Sequence, residues 1–206
     1  MAFNRKGLLA GLITALIAFS NPAAALDFTN VAFIQTATGT TSIPVGHLEF
    51  CQSRPAECRP YDRVEPATVL NESNWQQLVS INAYYNQNIV PVTDFDLYQV
   101  DEFWTYPNGY GDCEDFALIK RRDLIAAGWH PSTLMIAVVK EANGNGHAVL
   151  IARTDRGDLV LDNQESEIRL WNETPYKYIK RQSQAHAGQW VDMIDDRVTV
   201  VAANTN

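Results

Sequence analysis

Gly111-Asp112-Cys113-Glu114-Asp115-Phe116 sets one thiol among three carboxylates at the start of what reads as a helix. Downstream, His147 follows the turn-forming run Asn143-Gly144-Asn145-Gly146, and Asp162 ends the apolar run Leu159-Val160-Leu161. Thiol, imidazole and carboxylate are the parts of a cysteine nucleophile site. In that reading Cys113 attacks, His147 is the general base, and Asp162 fixes the imidazole tautomer and stabilises its charged form. The Cys113 N–H, among the first of a helix, is free to bind a developing oxyanion. The indole N–H of Trp104 is a second candidate donor, although a Trp before a helix is more often a packing residue. Each residue also has a plain reading: a lone Cys as a small core residue, a strand-start His as structural, a strand-end Asp as a turn cap.

The charges around Cys113 pull in two directions. A helix N-terminus favours thiolate. Neighbouring carboxylates oppose it. Asp112, Glu114 and Asp115 either cap the helix and point outward or bind a cation that cancels their field. Hard oxygen ligands suit Ca²⁺ rather than Zn²⁺. Three acids are too few for a full calcium shell, so carbonyls, water, or the loop acids Asp94, Asp96 and Asp101 would complete it. No His-Glu-x-x-His run supports a zinc hydrolase.

These groups need elements to position them. The cysteine helix reads from Cys113 to Ala127, with Asp112 at the N-cap, Asp115 as the acidic arm of a capping box and Gly128 at C′. A second helix is predicted over residues 72–87, capped by Asn71, with Trp75, Leu78, Val79, Asn82 and Tyr85 near helical spacing. Residues 134–139, 147–152 and 159–162 read as an antiparallel meander joined by turn signals. Residues 176–182 and 198–201 are candidate further strands. Residues 26–65 read as an irregular arm with one short strand near 31–34, and residues 88–110 as a loop. Helices followed by an antiparallel sheet make the fold class α+β. Arg156-Gly157-Asp158 spells an adhesion tripeptide, but inside a predicted hairpin turn it is read as coincidental.

Residues 1–25 have the pattern of a secretory signal peptide: Arg5 and Lys6, an apolar stretch of about 12 residues, and Ala23-Ala24-Ala25 as a cleavage site. An uncleaved anchor is the rival reading, but the stretch is short for a membrane span. The expected mature domain is 26–206, periplasmic or secreted, with no stable membrane insertion after cleavage. Without Arg5 and Lys6 the basic count falls from 16 to 14 against 24 acids, a net charge near −10 that argues against nucleic acid or anionic lipid as the main partner. In an oxidising compartment Cys51 and Cys58 are candidates for a local disulfide, with free thiols or a metal pair as alternatives. Pairing them leaves Cys113 as the odd cysteine, and reactivity is one reason to keep one.

The blocks Gly111 to Ala117, Gly146-His147-Ala148-Val149-Leu150 and Leu159 to Asn163, with Gly46 to Cys51 and Trp171 to Tyr176, resemble the bacterial transglutaminase-like cysteine peptidases. The resemblance spans roughly residues 44–195. It implies a papain-like or transglutaminase-like fold, with Cys113, His147 and Asp162 as a catalytic triad. Its LapG-type periplasmic branch cuts large surface adhesins and needs calcium beside the cysteine. By resemblance, Asp112, Glu114 and Asp115 are the matching metal ligands. A protein substrate, including a cell-surface adhesin, is the implied partner. The chain departs from that branch in its Cys51/Cys58 arm and at Tyr110, which touches the choice of substrate more than the chemistry. The expectation is an exported cysteine peptidase. Acyl transfer to an amine or amide hydrolysis in peptidoglycan would use the same triad, and a non-catalytic envelope-binding module would keep only the fold.

Overall fold

A computed structural model describes residues 31–197. Along the chain these form β1 (Gln35–Thr36), α1 (Val45–Ser53), α2 (Glu72–Asn88), β2 (Val90–Pro91), α3 (Asp94–Tyr98), β3 (Tyr110–Gly111) and α4 (Cys113–Ala126). Six strands follow: β4 (Leu134–Lys140), β5 (Gly146–Thr154), β6 (Gly157–Leu161), β7 (Arg169–Leu170), β8 (Lys177–Gln182) and β9 (Trp190–Ile194). The class is α+β, with an antiparallel sheet in the order β1-β9-β8-β4-β5-β6-β7.

The strand sequences are nearly continuous in apolar residues because the sheet is covered on both faces. On one face Leu134, Ile136, Leu150, Ala152, Leu159 and Leu161 pack with Leu118 and Leu124 of α4 and Leu78 of α2. On the other, Met135, Ala137, Val139, Val149, Ile151 and Val160 pack with Ile34, Tyr176 and Tyr178. Fully burying each of the Leu, Ile, Val and Met side chains contributes about 1.5–3 kcal/mol. The alternation places Ala148 and Val138 on the same face as α4.

Helix α2 begins as expected. The Asn71 side chain accepts from the Asn74 N–H, and the Asn74 side chain accepts from the Asn71 N–H. At the other end of α4, Gly128 takes φ +100, a conformation that costs glycine little. The start of α4 differs from expectation: Asp112 occupies the N-cap position but makes no side-chain cap bond. Asp115 is turned away and accepts from the Thr105 N–H at 2.8 Å instead.

The N-terminal arm is more ordered than the sequence suggested. Helix α1 lies within it, burying only Gly46, His47 and Phe50. So narrow an apolar face, with Val45 and Leu48 exposed, leaves little helical periodicity to read. The expected strand near 31–34 is displaced to Gln35–Thr36, where it pairs with β9. Cys51 and Cys58 are disulfide-bonded and tie α1 to the following turn. The segment 88–110 is also not a plain loop. Val90 and Pro91 pair in parallel with Tyr110 and Gly111, and α3, capped by Thr93, sits between. The suggested strand at 198–201 lies outside the described residues. Asp158 of the adhesion-like tripeptide is fully buried and held by Arg153 through both carboxylate oxygens, which removes it from recognition. No helix of the described residues is long and apolar enough to cross a membrane.

Candidate active site

Helix α4 starts against the sheet beside the N-terminal end of β5, and a cleft of about 500 Å³ opens there. Cys113, Glu114, His147, Ala148, Val138 and Trp104 line it, with Pro44 and Val45 of the α1 entry across from them. Trp104 is buried against His47 and Trp190. Its indole N–H donates to Glu102 Oε2 at 3.2 Å. Gly46 is required for this wall: a Cβ there would lie 2.8 Å from Trp104 Nε1 and nearer still to Cδ1.

His147 and Asp162 meet as strand pairing allows. Leu150 is opposite Leu161 across β5 and β6, and the two chain ends beyond that register converge. His147 Nε2 lies 2.9 Å from Asp162 Oδ1, with both side chains buried. The same carboxylate oxygen accepts from the Gln164 N–H at 3.0 Å, and Oδ2 accepts from the Tyr176 hydroxyl. The main-chain oxygen of Asp162 receives Lys120 Nζ at 3.0 Å and Asn86 Nδ2 at 2.8 Å. Burial pushes the Asp162 carboxyl up, but the hydrogen bonds and charge from His147, with Tyr176 and Gln164, outweigh it and hold it below the usual range. Because Nε2 is bonded to a carboxylate, it carries the proton, and Nδ1 presents the lone pair. Gln164 Nε2 lies 3.4 Å from Nδ1.

At Cys113 burial joins the acids against the helix N-terminus, and together they prevail. Burial first, then the Glu114 charge, push the thiol well above its ordinary value. The S–H donates to Glu114 Oε2 at 3.2 Å. Glu114 is itself raised to about 10 by burial and then by Asp112, and Asp115 to about 8 by burial.

Asp94, Asp112 and Glu114 bring one ligand oxygen each within 4.8 Å of the others. Asp94 and Asp112 each keep a buried oxygen without a hydrogen-bond partner. Neither they nor Glu114 form an ion pair among the described residues. Unpaired buried carboxylates of this kind are costly unless a cation joins them, and an all-oxygen donor set fits Ca²⁺. Asp115 is not part of this trio, though its Oδ2 is also unpartnered. Asp96 instead accepts from the Thr93 hydroxyl, and Asp101 is exposed.

The sequence profile of the bacterial transglutaminase-like cysteine proteinases matches residues 37–198. The chain belongs to this family. That places it among the cysteine peptidases. No curated protein matches the chain. Among solved structures, Legionella pneumophila LapG is similar at 31 % identity and TM-score 0.50, covering 57 % of this chain and 68 % of that one. Its calcium-bound form is 31 % identical over 52 % of this chain, TM-score 0.47. Its EGTA-treated form is 28 % identical over 60 %, TM-score 0.49. The match spans 64 % of the calcium-bound chain, just under two thirds, and 69 % of the EGTA-treated one.

The sequence did not single out Tyr176 as a partner of Asp162, nor Lys120 as a buried cation beneath it. Tyr176 offered a faint signal, as the aromatic of the Trp171 to Tyr176 block. Lys120 offered none, since a Lys on a helix is ordinarily solvated.

Proposed function

We propose that this chain hydrolyses peptide bonds of a protein substrate, with Cys113 as nucleophile, His147 as base and then acid, and Asp162 as orienter. The observation that carries the reading is the His147–Asp162 hydrogen bond, which leaves Nδ1 as the basic nitrogen of an imidazole lining the same cleft as Cys113. Nδ1 takes the thiol proton, and the sulfur attacks the substrate carbonyl carbon. The Cys113 N–H at the head of α4 stabilises the resulting oxyanion. The C–N bond then breaks as His147 passes its proton to the leaving amine. Water, deprotonated by His147, cleaves the thioester and releases the acid, and the proton returns to sulfur.

Asp94, Asp112 and Glu114 would hold Ca²⁺, with Asp115 beside them. When bound, the ion supplies positive charge that offsets the acids around the thiol. The leader-like residues 1–25 support export to the periplasm or beyond, and an envelope or surface protein such as a large adhesin as the substrate. The test is incubation of the purified protein with a denatured protein substrate in Ca²⁺, followed by N-terminal analysis. New N-termini with the wild type, reduced roughly a thousandfold or more by Cys113→Ala, are expected. Isopeptide crosslinks in place of new termini would overturn hydrolysis in favour of acyl transfer.

A further inference from the structure

The floor of the cleft is a row of residues crossing three strands. Ala148 on β5 is opposite Val138 on β4, and Val138 is opposite Lys180 on β8. All three line the cleft that Cys113 enters beside Ala148. Neighbouring strands lie about 4.8 Å apart, so Lys180 stands roughly 10 Å from Ala148 across the sheet, the length of about three extended residues. The Lys180 ammonium donates to the Ser42 main-chain oxygen at 2.9 Å and to Ser42 Oγ at 2.8 Å. These bonds steady it beside Pro44 and Val45 and leave one of its three donors free. Lys180 makes no ion pair among the described residues.

The opposite end of the same cleft is acidic. Glu114 sits there beside Cys113, and Glu102 also lines the cleft. Glu102 has the Trp104 indole as its hydrogen-bond partner and no cationic one among the described residues. Val138 stands between Ala148 and Lys180, and Val45 and Pro44 add further apolar lining. An extended peptide lying along the row from Ala148 therefore meets apolar Val138 and then the ammonium of Lys180.

We infer that Lys180 is a specificity-determining residue that selects substrates with an aspartate or glutamate about three residues from the scissile bond. The inference rests on the peptidase reading above and names the class of segment that the site takes. An acidic side chain at that distance gains a charge-assisted contact with Lys180.

The test is cleavage of a randomised octapeptide library in Ca²⁺ by wild type, Lys180→Met and Lys180→Glu, with products sequenced by mass spectrometry. Cys113 alkylation by iodoacetamide is followed in parallel to show that each variant keeps its site. Wild type is expected to enrich acidic residues about three positions from the cut. Lys180→Met should reduce that preference about tenfold, and Lys180→Glu should invert it toward Lys and Arg, a change of the order of one strong polar contact. Alkylation rates should be unchanged. Cleavage by all three proteins with one common preference would overturn the role of Lys180 and leave the peptidase reading intact. No cleavage of any peptide by wild type would overturn both.

Discussion

Tyr176 donates its hydroxyl to Asp162 Oδ2, the carboxylate oxygen that His147 does not use. Its ring centroid also lies 5.4 Å from that of His147. One residue thus contacts both the orienter and the base. Tyr176→Phe keeps the ring and deletes the hydroxyl. A bond to a charged partner contributes about 1.5–3 kcal/mol, so kcat/KM should fall roughly tenfold or more. The acid limb of the rate profile should move to higher pH, because losing a donor raises the Asp162 carboxyl. A fall in melting temperature with an unchanged pH profile would mean that Tyr176 only packs.

Lys120 yields a stability effect with a definite sign. Burial lowers its amine to about 7, against the attraction of Asp162. The unfolded chain keeps that proton up to about pH 10.4. Between about pH 7 and 8.5 the unfolded state therefore binds more protons at this residue, and its contribution rises with pH by at most about 1.4 kcal/mol per unit. Urea midpoints of wild type and Lys120→Met, measured across that window in saturating Ca²⁺, should diverge with a slope of this sign. Parallel curves would show that the amine stays charged in the fold.

Much of this was legible because the signals are local. The runs 134–139 and 147–152 announce strands by their apolar content, and Asn71 and Gly128 announce helix ends by turn chemistry. The nearness of His147 and Asp162 follows from counting back along two paired strands. What stayed hidden depends on long-range contacts. Asp94 reaches Asp112 because β2 and β3 pair in parallel across the intervening segment, and a two-residue parallel pairing has no sequence signature. Helix α1 was missed because only three of its residues turn inward. Strand β9 went unread because Asp192 and polar neighbours break its pattern, although Trp190 is fully buried.

Calcium should stabilise the fold through Asp94, Asp112 and Glu114. Metal ligands must shed their protons, and in the metal-free fold burial holds Glu114 and Asp115 above the usual carboxylate range. Above about pH 4 the unfolded chain has lost protons that these two retain in the fold, so metal-free stability falls as pH rises toward 8. Added Ca²⁺ should raise the melting temperature more at pH 8 than at pH 5, and Asp94→Asn should shrink the rise. An equal shift at both pH values, or one unaffected by Asp94→Asn, would place the ion elsewhere.

Gly46→Ala tests the cleft wall apart from the fold. Alanine gains about 1 kcal/mol of helix propensity over glycine. Overpacking against the Trp104 indole costs about 1–3 kcal/mol. Net destabilisation of no more than about 2 kcal/mol is expected, with a clear loss of kcat/KM as Trp104 is pushed from its place. Full activity would show that Trp104 does not shape the productive cleft.

The decisive measurement is the rate of Cys113 alkylation by iodoacetamide as a function of pH in saturating Ca²⁺, for wild type and His147→Ala. If His147 is the base that activates Cys113, the wild-type thiol reacts rapidly well below the free-thiol value of about 8.5, and His147→Ala slows it and returns an ordinary thiol profile. Identical profiles for the two proteins would contradict the assignment of Cys113 and His147 as nucleophile and base.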